Sequence, residues 1–297
     1  MRRGSFTYFS ALIFTALSVI AVIGAVILLF IESLPVWKHS GLSFVTSETW
    51  FYRQETYGIA AMIYGSIVVA IIAILLAAPI GIGAAIFTAE FAPKRLRVVL
   101  KVLVELLAGI PSVVYGLLGV LLLRNWVYDL LEDFDLLSGD TLLTAGILLG
   151  VIILPTVMTL ADDALCGVSD TQRKAARGLG LNASETILHV SIPQATSGLF
   201  AAILLALGRA MGETIAVFLI VGRQDNQWPE NLLSWAPILE SGQTLTSKLG
   251  GAETNIAYGQ ELHWGAIAGL GLLLLSIVSL ITFIGLLLQN FTQRNET

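Results

Sequence analysis

Charge is what this sequence has least of. Only 12% of its 297 residues are Asp, Glu, Lys or Arg, against roughly 25% in a soluble domain, while 56% are hydrophobic. So few charges cannot cover the water-facing surface of a chain this long. Cysteine is almost missing as well. The single Cys166 excludes an internal disulfide and leaves the redox compartment open. None of the lysines (Lys38, Lys94, Lys101, Lys174, Lys248) follows a glycine, which excludes a phosphate-binding loop of the Gly-Lys-Ser/Thr kind. The three histidines, His39, His189 and His263, are too dispersed for a clustered zinc or haem site. No nucleophile–base arrangement stands out either. The expectation is a transporter or channel component without a metal, cofactor or catalytic residue.

What the sequence does have is long apolar runs. Stretches free of Asp, Glu, Lys and Arg cover Gly4–Ile31, Thr56–Ala89, Leu106–Leu123, Thr141–Ala161, Thr186–Gly208 and Leu262–Gln293. Each is long enough to cross about 30 Å of hydrocarbon as a helix. Lipid offers the backbone no hydrogen-bond partner, so the runs must be helical or belong to a closed barrel. Barrel strands are short and alternate, whereas these runs are long and continuously apolar. The first run could instead open as a cleaved signal peptide, but its apolar part, Tyr8 to Ile31, exceeds the usual 7–15 residues. The fold class predicted is all-α, a polytopic protein with about six transmembrane helices.

Six crossings divide the connecting segments between two sides. Arg2, Arg3, Lys94, Arg95, Arg97, Lys101, Arg173, Lys174, Arg177 and Arg294 fall on one side. Lys38, Arg53, Arg124, Arg223 and Lys248 fall on the other. The basic excess marks the first side as cytoplasmic and places both termini there. The acidic run Asp129, Glu132, Asp133, Asp135 and Asp140 then lies outside and reads as a solvated loop, with no calcium-loop pattern. Trp37, Trp50, Phe51 and Tyr52 in the outside segment Glu32–Tyr57 predict an interfacial belt or a docking surface. Pro79 with Gly81 and Gly83, Gly109-Ile110-Pro111-Ser112, and Pro155 predict interruptions in the spans. Each is a packing kink or part of a translocation path. No internal repeat or low-complexity tract is evident.

Two charges lie within the fifth span, just past its charge-free run: Arg209 and Glu213. Four residues apart on a helix, they project from nearly one face. Ionisable groups at membrane depth face a cavity or one another. A planar guanidinium suits an oxyanion, so Arg209 is a candidate path residue; Glu213 would hold it in the empty state or take a proton. The other reading is a structural ion pair. Gly208 and Gly212 could form a packing face. Pro111 and Ser112 would start a helix within the membrane, whose free N–H groups suit an anion.

Two sets of residues carry a resemblance. Lys174-Ala175-Ala176 and Gly180, followed after nine residues by Val190, Ile192 and Pro193, are similar to the EAA loop of ATP-binding-cassette importer permeases. Lys174 stands where that family usually has Glu. The runs Leu107–Leu117 and Gly208–Val217, with Tyr57-Gly58, Ala78–Gly81 and Thr244-Leu245-Thr246, resemble phosphate-specific importer permeases. Gly41, Phe44 and Trp50 fit the C-type subunit better than the A-type. Tyr64-Gly65-Ser66 departs from the family's Gly-Thr-Leu.

The resemblance implies a type I importer transmembrane domain over 58–290, after a first helix and long external loop over 1–57, with the EAA-type loop at about 168–196. Arg209, Glu213 and Ser112, singled out by their own chemistry, are expected along the substrate path. The resemblance also implies a coupling site at Lys174, Ala175, Ala176, Gly180 and Pro193, in which a short helix ends at a glycine and small Ala175 and Ala176 admit a partner. ATP would be bound by a separate subunit. The implied partners are a second permease (PstA type), a pair of ATPases (PstB type), an external phosphate-binding protein (PstS type), inorganic phosphate and the bilayer, with no nucleic acid. A permease for another oxyanion, such as sulfate or molybdate, and an ATP-independent channel or secondary transporter are the alternatives.

Overall fold

A computed structural model of the chain describes residues 3–134, 136–229, 231 and 236–294. Of the residues that set the predicted orientation, Arg2, Asp135 and the side chains of Arg3 and Arg294 lie outside what is described. The architecture is all-α apart from one short hairpin. In order come α1 (Arg3–Ser40), α2 (Ser43–Thr46), the hairpin β1 (Trp50–Phe51) and β2 (Thr56–Tyr57), α3 (Ala60–Ile86), α4 (Lys94–Ala108), α5 (Ser112–Leu118), α6 (Arg124–Leu130) and α7 (Leu142–Gly167). These are followed by α8 (Asp170–Gly178), α9 (Ala183–Thr186), α10 (Ile192–Gly212), α11 (Ile215–Ile220), α12 (Leu245–Leu249), α13 (Glu253–Ala257) and α14 (Glu261–Arg294).

Among the described residues, six helical runs are long and apolar enough to cross a bilayer: Tyr8–Ser40, Ala60–Phe91, Ser112–Leu130, Leu142–Gly167, Ala183–Gly212 and Glu261–Gln289. Three π-helical turns lie within these runs, at Phe87–Phe91, Gly119–Leu123 and Ile187–Ser191.

α7 is the central helix, packed along α3 and α10 and touching α4 and α11. Small residues set these approaches. A Cβ on Gly81 would stand 2.8 Å from Val157 Cγ1, and one on Gly146 would stand 2.6 Å from Ile72 Cβ. Pro79 and Pro155 lie inside unbroken helices, so the interruptions predicted there do not occur. Gly81 is a close-packing residue instead. The chain does break at Gly109–Pro111, so the third span starts at Ser112 rather than at Leu106. Gly208 packs against Thr282 of α14, where a Cβ would stand 2.7 Å from its hydroxyl. Gly212 has open space, so only half of the predicted glycine face is used.

The predicted aromatic belt is corrected by the structure. α1 runs on to Ser40, and Trp50 and Phe44 are buried with Val36, Tyr57 and Leu245 in a core of their own. Trp37 packs edge-on against Phe44. Burying an aromatic ring removes more apolar area from water than an interfacial position does, so a compact segment internalises these rings. Phe51 stays exposed. Nearby, the departing stretch Tyr64-Gly65-Ser66 meets the Thr244–Thr246 segment, where Ser66 Oγ accepts the Leu245 N–H at 2.9 Å.

Under this cap lies a charged cluster. Lys248 Nζ is 2.7 Å from Asp225 Oδ2, 2.5 Å from Glu253 Oε2 and 4.9 Å from the Trp50 ring centre. Glu253 Oε1 also receives Trp50 Nε1 at 2.5 Å and faces His263 Nε2 at 2.9 Å. Burial opposes ionisation of Glu253, but Lys248, Trp50 and His263 outweigh it and leave the carboxyl below its usual 4.5. The stability it contributes is therefore present above pH 4.5 and is lost as pH falls through the lowered value. Lys248→Met leaves two half-buried carboxylates without their cation and is expected to cost at most about 3 kcal/mol, the low end for a broken buried pair. Thermal unfolding of detergent-solubilised protein at neutral pH checks this; an unchanged midpoint would show that the cluster contributes nothing.

Candidate translocation path and coupling site

α10 ends at Gly212, and Glu213 leaves the helix with φ −70° and ψ 117° before α11 begins at Ile215. The one-face geometry assumed for Arg209 and Glu213 requires a helix through both. The break removes it, and no ion pair joins them among the described residues. Arg209 instead donates from Nη1 to Thr156 Oγ1 at 2.7 Å, tying α10 to α7 beside Pro155. Tyr115 Oη donates to Leu107 O at 2.9 Å and so bridges the break at Gly109–Pro111. Ser112 is half-buried as the first residue of α5, one turn before Tyr115. Arg209 and Thr156 therefore form a polar pair between two spans. Ser112 and Glu213 are half-buried, and among the described residues neither is bonded to Arg209. Thr156 and Tyr115 have no sequence signature, since a lone hydroxyl in an apolar run satisfies itself as readily on its own helix.

At one end of the bundle, α8 and α9 form a helical hairpin. Ser169 caps α8 by accepting the Thr171 N–H. The helix closes through Gly180, at φ +96°, with Gly180 N–H donating to Arg177 O at 3.0 Å and Leu181 N–H to Ala176 O at 3.3 Å. This paired closure favours glycine at the left-handed position. Asn182 and Glu185 then form a reciprocal cap that starts α9. Lys174, Ala175, Arg177 and Pro193 are exposed, and Leu179 is 84% exposed. Ala176 is not on this face: at 7% exposure it packs inward, because its position on α8 points back to the bundle. The predicted small surface thus reduces to Ala175, Gly178 and Gly180. A Cβ on either glycine would meet nothing of this chain within 4 Å.

Over residues 77–295 the sequence matches the family described as the binding-protein-dependent transport system inner membrane component. The chain belongs to that family. The chain is 34% identical over 283 residues to the phosphate transport system permease protein PstC of Mesorhizobium japonicum, covering 90% of this chain and 84% of that one. It is 35% identical to the probable phosphate transport system permease protein PstC of Methanocaldococcus jannaschii, over 66% of this chain and 68% of the other. The Haemophilus influenzae PstC is 32% identical over 95% of this chain and 91% of its own. Among solved structures, the MetNI methionine ABC transporter in inward-facing conformations aligns with a TM-score of 0.53 at 17% identity, over 81% of this chain and 94% of that chain. That last likeness shows the fold alone.

In this inner membrane component, the hairpin is anchored to the spans by charge. Arg173 of α8 reaches Glu90, Ser191, Leu165 O and Val168 O. A second group joins the π-helical turn Phe87–Phe91, α4 and α7: Asp162 Oδ2 lies 3.0 Å from Arg97 Nη2 and 2.8 Å from Lys101 Nζ, and its Oδ1 accepts from Thr88 Oγ1 at 2.9 Å. Cys166 also lies in contact with the Arg97 guanidinium. Sequence reading missed these partners because they are separated by many tens of residues. Their only local signal is a charge at each border of an apolar run.

Proposed function

We propose that this chain is the C-type permease subunit of an ATP-driven importer of inorganic phosphate, forming half of the translocation path. The observation that carries this reading is the kinship, over nearly the whole chain, with the phosphate transport permeases PstC of Mesorhizobium japonicum and Haemophilus influenzae. The Arg209 guanidinium adds chemistry to it. Its planar fork matches two oxygens of a tetrahedral oxyanion, and it is held by a neutral hydroxyl that an anion can displace. Glu213 stands off that site, where it does not repel the anion at contact.

In this scheme residues 1–57 add a first helix and external segment to a transporter domain over 58–290. The family match over residues 77–295 covers most of the second part and none of residues 1–57. The partners are a second permease of PstA type, a pair of PstB-type ATPases at the exposed α8 face, and a PstS-type phosphate-binding protein on the opposite side. ATP binding draws the ATPases together, displaces α8 and switches access to the path. The test is uptake of labelled phosphate into liposomes carrying the complete complex, with sulfate and molybdate as competitors. Uptake that needs ATP and yields only to phosphate is expected. Equal competition by sulfate would overturn the substrate, and uptake without ATP would overturn the energy source.

Both termini are placed in the cytoplasm by the basic asymmetry of the connecting segments, ten residues against five. After replacement of Cys166 by Ser, single cysteines within the 129–134 stretch are expected to react with an impermeant thiol reagent added outside intact cells. Reaction only after the membrane is opened would reverse the orientation.

A further inference from the structure

We infer that Arg173 is the positioning residue that passes displacement of α8 to the membrane spans, through Glu90 and Ser191. This inference rests on reading α8 as the ATPase docking site. Arg173 Nε donates to Glu90 Oε1 at 3.1 Å and to Ser191 Oγ at 3.3 Å; Nη1 donates to Val168 O at 2.8 Å and Asp170 Oδ1 at 3.4 Å; Nη2 donates to Leu165 O at 2.6 Å. Nη2 lies 3.0 Å from Glu90 Oε1, and Ser191 Oγ donates to that same oxygen at 2.7 Å. The Arg173 and Glu90 side chains are 13% and 4% exposed. One guanidinium therefore holds the C-terminal end of α7, the end of the α3 span and the start of the α10 span together. Among the described residues it is the one side chain of α8 hydrogen-bonded to the spans.

The partners stand at particular places in their helices. Glu90 lies in the π-helical turn Phe87–Phe91 and Ser191 in the π-helical turn Ile187–Ser191. Two of the three π turns among the described residues thus meet at one ion pair. A π turn carries an extra residue in a single turn, and such turns cluster at functional positions. A span with such a turn at its end can change twist locally without breaking its whole hydrogen-bond ladder. A rigid, buried fork on the moving helix and yielding turns on the receiving spans make a linkage. The neighbouring Asp162 group supplies the contrast: it binds the Phe87–Phe91 turn, α4 and α7 to each other and, among the described residues, makes no bond to α8.

The test uses the complete importer in liposomes and reads phosphate accumulated per ATP hydrolysed, normalised to assembled complex. Arg173→Gln is expected to lower that ratio by roughly 2- to 30-fold, the range over which linking residues modulate coupling between sites. ATP hydrolysis should continue. Arg173→Lys keeps the charge without the fork and should recover part of the ratio. A purely structural role lowers the amount of assembled complex, or lowers uptake and hydrolysis together, and leaves the ratio unchanged; that result overturns the inference. If Arg173→Gln does not assemble, Glu90→Gln and Ser191→Ala carry the same test, with the same outcomes. Failure of the docking reading itself shows separately, as ATPase co-purification that is insensitive to a bulky residue at Gly180.

Discussion

Arg209→Gln is expected to reduce phosphate uptake by roughly 30- to 5,000-fold, the equivalent of the 2–5 kcal/mol lost when one member of a desolvated charge pair is removed. Assembly with the partner permease should persist, because a neutral side chain enters the membrane more easily than a guanidinium. The competing explanation is that Arg209 merely pins α10 to α7 through Thr156. That explanation forecasts that Thr156→Val reproduces the defect, since the valine removes the only described hydrogen bond of the guanidinium. Substrate contact forecasts the opposite: Thr156→Val frees the fork and leaves most of the uptake. Adding Glu213→Gln to Arg209→Gln should restore nothing, because the two side chains are not paired. Uptake per assembled complex decides, and recovery in that double variant would exclude Arg209 as a substrate contact.

The second large effect concerns Gly180. Its φ of +96° strains any L-residue, so Gly180→Ala and Gly180→Trp both incur a backbone cost of about 1–2 kcal/mol. Nothing within this chain obstructs either side chain, since a Cβ there meets no atom within 4 Å. A difference between the two variants therefore reads what lies outside the chain. Gly180→Trp is expected to abolish ATPase co-purification, whereas Gly180→Ala should only weaken it. Equal, undiminished co-purification in both would place the ATPase elsewhere.

How much was legible in the sequence varied with the range of the interaction. The six spans were read from composition, and the start at Ser112 follows from Pro111, which lacks an N–H and restricts the residue before it. Gly180 was likewise legible, because a left-handed closure has few alternatives to glycine. Pro79 and Pro155 misled, because neighbouring helices in a membrane bundle can support a proline without a break. The aromatic belt misled because Trp50 and Tyr52 find partners in α13 and α14, some two hundred residues further along.

By itself, the sequence determined that this is an all-helical membrane protein with an exposed, glycine-closed segment between its fourth and fifth spans. Both features are local, arising from the cost of unpaired backbone in lipid and from the conformational freedom of one residue. Only the tertiary structure decided which charges work together. It separated Arg209 from Glu213 by ending a helix between them, and gave Arg209 to Thr156. It also turned Ala176 inward and brought Arg173 to Glu90 and Ser191. Such pairings depend on how whole helices pack, so their partners carry no fixed spacing in the sequence.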